Sequence, residues 1–537
     1  MTGGEALVQS LIAHGVDTVF GIPGVQTYGL FDALQRERGR IRLVYPRHEQ
    51  ATGYMAYGYA RTTGRPGVFT VVPGPGVLNT GAALCTAYGA SAPILCLTGQ
   101  VPSGFLGLGK GHLHELPDQL ATLRGLTKWA ARINHPAEAP ATLAEAFHQM
   151  RSGRPRPAAV EMPWDVFTAS APVAAVEPLP QSVIEPDPQA IDAAVAHLAA
   201  AREPMIMVGS GAQHAAPEVG ALAEWLQAPV VSLRGGRGIV GDDQPLGFNC
   251  VAGFERWPRT DVLVGIGTRL ELVWFRWHAL RRDLPVILLE IDPTQIPKLR
   301  PAVAIVGDAQ RSTAALLEAV RRTVPARASR SEEFTALKAR VRARVETLQP
   351  HVGYLDAMRA VLPRDGFFVD EICQSGFASL FAFPVYEPRT FVSSGHQGTL
   401  GSGYSTALGV KIAHPRRQVL SISGDGGFMF GVQELATAVQ HRINVVGVVF
   451  NNGSFGNVQR DQEQGFDGRV IGSELANPDF PRLAESFGMT GLRARSPEEL
   501  RRALEKAFAA DAPALIEVPV ELGAEGSPWP FLMPTRS

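Results

Sequence analysis

Gly424-Asp425-Gly426-Gly427, the segment Gln433-Glu434-Leu435-Ala436-Thr437-Ala438-Val439-Gln440, and Val445-Val446-Gly447-Val448-Val449-Phe450-Asn451-Asn452 decide how this chain folds. An apolar run enters a glycine turn bearing one carboxylate, a helical pattern follows, and a second apolar run ends on two amides. Such a βαβ unit carries polar oxygens at the carboxyl ends of neighbouring parallel strands, where open α/β sheets bind ligands. Asp425 and Asn452 lie 452 − 425 = 27 positions apart, room for one helical crossover. One charged and one neutral oxygen thus converge on a hard cation. Mg²⁺ takes one or two carboxylates and fills its other positions with water and phosphate oxygens. Gly424, Gly426 and Gly427 let the backbone approach a phosphate, and the helix that begins just after them points free N–H groups at the anion. Either half alone reads as a turn. Together, each directly after an apolar strand, they read as a diphosphate–Mg²⁺ anchor.

At about 150 residues per domain, 537 residues predict three or four domains. A hydrophobic content of 45%, a charged content of 19% and a net charge of −1 describe an ordinary globular chain and point to neither nucleic acid nor an anionic membrane as partner. The dense basic cluster Lys338, Arg340, Arg342, Arg344 is interleaved with Ala and Val and reads as a solvated helix face. Cys85, Cys96, Cys250 and Cys373 lack zinc-site spacing. With a non-secretory start, MTGGEALVQS, they read as reduced thiols in the cytoplasm. No apolar run approaches the ~20 residues needed to cross a bilayer.

Residues 1–170 alternate apolar runs with helical patterns, with strands expected at Val19-Phe20, 43–45, 68–72, 94–98 and 158–161. A proline-rich connector follows (Pro172, Pro178, Pro180, Pro186, Pro188). A second block, 190–322, has expected strands near 205–208, 230–232, 262–266, 286–291 and 304–306. Residues 325–350 read as a connecting helix. A third block, 351–520, has expected strands near 367–369, 418–422, 445–450 and 515–520, and 521–537 reads as an extended tail. The fold class is therefore α/β, with three doubly wound parallel-sheet domains.

G-D-G followed about 25 residues later by N-N resembles the motif of thiamine-diphosphate enzymes of the acetolactate synthase, 2-oxoacid decarboxylase and benzaldehyde lyase superfamily, and the order of blocks is similar to its pyrimidine-binding, central and diphosphate-binding domains. The resemblance implies Asp425, Asn452 and the carbonyl of Ser454 as Mg²⁺ ligands. It also implies Gln374 and Ser375 as diphosphate contacts, Leu400 as an apolar wedge that bends the cofactor, and the Gly398 carbonyl as acceptor for the 4′-amino group. Arg47-His48-Glu49-Gln50-Ala51 with Gly58-Tyr59-Ala60-Arg61 resembles the activating-glutamate motif. Glu49 would hydrogen-bond the aminopyrimidine ring nitrogen so that the cofactor deprotonates itself.

On the substrate side, Gln26 and the loop Gly74-Pro75-Gly76 follow strands of the first block. His114 stands where acetolactate synthases carry Gln, a shuttle for protons or an exposed loop His. Phe455, Asn457 and His396 or Gln397 would complete the pocket. Because neither end domain encloses the cofactor alone, the resemblance implies a homodimer or homotetramer with sites between subunits. The implied activity is acetolactate-synthase-like: decarboxylation of a 2-oxo acid, with ligation to a second carbonyl. The alternatives are a non-ligating decarboxylase, a lyase acting on a bulky 2-hydroxy ketone, and an inactive cofactor-binding relative. Two departures bear on this. Gly265-Ile266-Gly267-Thr268-Arg269-Leu270-Glu271-Leu272 replaces the R-F-D-D-R pattern associated with FAD, making FAD doubtful, and Asn457-Val458-Gln459-Arg460-Asp461 lacks the Trp associated with acceptor choice.

Overall fold

Unbroken apolar runs, the signature of strands covered on both faces, form the central strands of three parallel sheets. The computed structural model describes residues 1–277 and 283–534. The first sheet comprises β1 (Thr18–Gly21), β2 (Arg42–Val44), β3 (Gly67–Val71), β4 (Ile94–Gln100), β5 (Trp129–Arg132) and β6 (Ala158–Pro163), in the order β2-β1-β3-β4-β6-β5. The second comprises β7 (Pro204–Val208), β8 (Val230–Ser232), β9 (Gly247–Asn249), β10 (Val262–Ile266), β11 (Val286–Glu290) and β12 (Val303–Val306), in the order β12-β11-β10-β7-β8-β9. The third comprises β13 (Phe367–Val369), β14 (Phe391–Val392), β15 (Val419–Gly424), β16 (Val446–Asn451), β17 (Thr490–Arg493) and β18 (Ala514–Pro519), in the order β14-β13-β15-β16-β18-β17. Every described strand pair is parallel. The α/β class with three parallel sheets is thus as expected.

The first and third sheets share one topology, while the second has the strand order of a dinucleotide-binding fold. In each sheet the strand order reverses beside its first strand. The crevices at the carboxyl ends there, between β1 and β3, β7 and β10, and β13 and β15, are the natural ligand sites.

Four strands were not anticipated: β5, β9, β14 and β17. All four are outermost strands. An edge strand packs along one side only, so its sequence need not be a long apolar run. Thr490, Gly491 and Leu492 are half-buried and Arg493 is exposed, and β14 has two residues.

Two further expectations need correction. The basic face of the helix Ser331–Val345 is solvated only in part: Arg340 and Arg344 are exposed, but Lys338 Nζ donates to the carbonyls of Asp242 and Gln244, and the half-buried Arg342 pairs with Glu346 and Asp356. The segment after Glu521 is not extended over its described part, to residue 534; 535–537 of the expected tail lie outside the described residues. It turns back, forms a helix at Trp529–Leu532, stacks Phe531 on Phe381 at 5.3 Å and buries Leu532 completely. Burying those apolar side chains outweighs the freedom of a loose end.

The first and third domains meet through the helices Glu49–Thr63 and Gly403–Ala413. A Cβ at Gly58 would lie 2.2 Å from the Thr406 carbonyl oxygen, and one at Gly409 would lie 2.0 Å from that of Met55. Only glycine permits so close a crossing.

Candidate active site

β15 ends at Gly424 and the next residue is Asp425, 3% exposed. Its Oδ2 accepts the Gly453 N–H at 2.8 Å and Asn477 Nδ2 at 2.7 Å, which fixes the carboxylate beside the end of β16. Burial raises its pKa, and the Gly426, Asn477 and Gly453 donors oppose that rise. Asn452 Oδ1 accepts the Ser454 N–H at 3.1 Å, a local turn that brings the Ser454 peptide beside the amide oxygen. The crossover thus places Asp425, Asn452 and Ser454 together. The expected single helix after the glycines is split into one turn, Asp425–Phe428, and the helix Glu434–His441. Gly426 is required by contact, since a Cβ there would meet Phe455 Cε1 at 2.4 Å.

Two further walls close this cradle. After β13, the helix Gln374–Ala382 begins with Gln374, whose Oε1 is buried without a hydrogen-bond partner, and Ser375, whose Oγ lies 2.9 Å from His351 Nδ1. The second wall is the loop of Gly398 (φ 57°) and Leu400, held by Glu371. The Glu371 carboxylate accepts the N–H groups of Gly401 and Gly403, both at 2.8 Å, and the Ser423 hydroxyl at 3.0 Å. Burial pushes its pKa up to about 7. A Cβ on Gly427 would lie 2.1 Å from Glu371 Oε1 and 3.5 Å from Leu400 Cδ2, so carboxylate, wedge loop and cradle are in mutual contact. Carboxylate, amide and carbonyl oxygens suit a hard dication, and the N–H groups at the start of the helix Gln374–Ala382 suit a diphosphate oxygen. The residues present therefore fit thiamine diphosphate with Mg²⁺.

Glu49 opens the helix Glu49–Thr63, and its Oε2 accepts Asn79 Nδ2 at 3.0 Å. The start of that helix is fixed by Glu434, which accepts the backbone N–H groups of Arg47 and His48, both at 3.1 Å. No hydrogen bond or ion pair joins Glu49 to Asp425, Asn452 or Leu400 of its own chain.

At the carboxyl ends of β1, β3 and β4 three loops converge. Gln26 is 1% exposed; its Nε2 donates to the Leu113 carbonyl at 2.9 Å, and its Oε1 lies 3.1 Å from His114 Nδ1. A Cβ at Gly74 would strike the His114 carbonyl at 2.5 Å, so the Gly74 loop lies directly against the His114 loop. His114 itself takes φ 63°.

His396 sits elsewhere. With Arg61, Arg154, Arg234 and Arg269 it lines a cleft of about 490 Å³ at the β7–β10 crevice of the central sheet. Burial, followed by Arg269 and Arg234, lowers its pKa. Asn457 Oδ1 is taken by Trp529 Nε1 and Arg460 Nη2.

Asn477, Glu434, Glu371 and His351 were not assigned roles from sequence. Glu434 lies in the quoted helical segment and Glu371 three positions before Gln374, but a buried Glu whose partners are backbone amides leaves no residue pattern to read. Asn477 had no signal.

Family models match in three parts: the thiamine pyrophosphate enzyme N-terminal binding domain over residues 1–122, the central domain over 191–316, and the C-terminal binding domain over 372–518. A probable 2-ketoarginine decarboxylase of Pseudomonas aeruginosa is 37% identical, covering 96% of this chain and 94% of its own length. An acetolactate synthase of Arthrospira platensis is 31% identical over 97% and 94%, and an acetolactate synthase large subunit of Corynebacterium glutamicum 32% over 99% and 88%. With three parallel sheets in the matching order and relatives similar along nearly their full length, the chain belongs to the thiamine pyrophosphate enzyme family.

Proposed function

We propose that the protein is a Mg²⁺-requiring decarboxylase of a 2-oxo acid that releases its product without ligating it to a second carbonyl. The observation that carries this reading is the hydrogen-bonded pair Gln26–His114 at the substrate side of the first domain. Similarity to a protein named for decarboxylation, at 37% identity against 31–32% for acetolactate synthases, supports it.

When bound, thiamine diphosphate supplies a nucleophilic carbon and an acceptor for the electron pair left by departing carbon dioxide. The chain's residues do the rest. Asp425, Asn452 and the Ser454 carbonyl would hold the cation, Gln374 and Ser375 would meet the diphosphate, and Phe455 covers Gly426. Leu400 and the Gly398 carbonyl would lie against the cofactor. Glu49 would hold a proton for the pyrimidine nitrogen. Gln26 Nε2 is committed to the Leu113 carbonyl, so Oε1 faces the imidazole and His114 Nδ1 must carry hydrogen. His114 Nε2 is then the atom that exchanges a proton with the product. As the resemblance to the family implies, we place the site, with Glu49 and the cradle contributed by different copies, between two subunits.

Ligation is the second reading, favoured by the acetolactate synthase relatives. Purified protein with thiamine diphosphate and MgCl₂ is given pyruvate, 2-oxobutyrate, benzoylformate and 2-ketoarginine separately, and products are identified by mass spectrometry. An aldehyde with one equivalent of carbon dioxide supports the proposal; acetolactate from pyruvate overturns it in favour of ligation.

A further inference from the structure

The chain leaves β18 at Pro519, turns back, and brings Glu525 over the cradle. Gly526 N–H donates to the Gln349 carbonyl at 3.1 Å and fixes the backbone there. Glu525 Oε2 accepts Asn452 Nδ2 at 2.9 Å, and only 10% of the Glu525 side chain is exposed. Its Oε1 lies 3.8 Å from Nε2 of His351, a fully buried ring whose Nε2 has no hydrogen-bond partner and whose Nδ1 meets Ser375. The tail carboxylate therefore touches the Asn452 wall directly and reaches toward the Ser375 wall through His351.

The contact with Asn452 has a chemical direction. Glu525 Oε2 accepts from this amide, so the end of Asn452 facing it is the NH₂ group. The oxygen is then forced to the opposite side, where it already accepts the Ser454 N–H. A cation needs that oxygen, and outer partners that orient a ligand matter nearly as much as the ligand.

We propose that Glu525 is a positioning residue for the divalent cation: by taking the Asn452 amide hydrogens it turns Oδ1 toward the metal, making the C-terminal segment part of the cation site. This rests on the reading of Asp425, Asn452 and Ser454 as cation ligands.

The test is calorimetric titration of MgCl₂ into protein held in a fixed excess of thiamine diphosphate, with the heat of MgCl₂ and cofactor alone subtracted. Glu525→Ala should raise the dissociation constant for Mg²⁺ by roughly 10–100-fold, the usual cost of losing an orienting partner. Glu525→Gln, which keeps an accepting oxygen, should stay within about 3-fold of wild type on the same reasoning. Glu525→Leu keeps the bulk without the acceptor and carries the test if the Ala variant does not fold. Wild-type affinity in Ala or Leu overturns the proposal, as does equal weakening by Gln and Ala, which would mean that charge and not orientation matters. If wild type itself binds no Mg²⁺, the cation reading of Asp425 and Asn452 fails first, and this inference with it.

Discussion

Glu371 Oε1 accepts the Gly401 N–H at 2.8 Å, one residue past Leu400, and so ties the wedge loop to the floor of the cradle. Burial lifts that carboxyl from an ordinary 4.5 to about 7. Between these values the native state holds a proton that the unfolded chain has lost, so this group's stabilisation is full below pH 4.5 and fades as pH rises through 7. Relative to Glu371→Gln, the wild-type protein should lose about 3 kcal/mol between pH 4.5 and 8. Urea unfolding of the apo proteins across that range checks it, and a pH-independent difference between the two refutes it.

Removing the cation should remove the cofactor. After dialysis against EDTA, thiamine diphosphate should bind weakly or not at all, and MgCl₂ should restore it. Asp425→Asn keeps the side-chain shape but loses the charge. It should weaken Mg²⁺-dependent binding by more than ~100-fold, the upper cost of losing an outer partner. Calorimetry on both preparations decides.

Glu49→Gln should leave cofactor binding nearly intact and abolish turnover. Mixing it with Asp425→Ala after co-refolding distinguishes sites within a chain from sites between chains. If two subunits share each site, random hybrids restore roughly a quarter of wild-type activity, because half the dimers are mixed and each mixed dimer has one intact site. No recovery would place the two residues in the same chain's site.

Gly426→Ala puts a methyl group 2.4 Å from Phe455 Cε1. Displacing the ring should cost about 1–3 kcal/mol. Weakened cofactor binding with an unchanged fold, read by circular dichroism, is the expected result. Unimpaired binding would mean that Phe455 does not cover the diphosphate.

His114→Gln removes the proton carrier and keeps a hydrogen-bonding side chain. In a single turnover, one equivalent of carbon dioxide per site should leave at the wild-type rate while aldehyde release slows by roughly 10²-fold, the usual weight of acid–base help. Equal rates of both products in variant and wild type would show that His114 carries no proton.

What the sequence by itself determined was everything encoded locally: the central strands as apolar runs, the turn at Gly424–Gly427, the two amides closing β16, and Glu49 opening a helix. Each depends on neighbours a few residues away, where period and turn chemistry operate. Tertiary structure alone decided the edge strands β5, β9, β14 and β17, whose weak patterns are completed by pairing with a strand already formed. It also decided which polar groups meet across long separations: Glu371 with Gly401, Glu434 with His48, Gln26 with His114, and Glu525 with Asn452. Those contacts satisfy buried donors and acceptors contributed by distant segments. A buried carboxylate binding an amide leaves no period and no spacing in the chain from which to predict it.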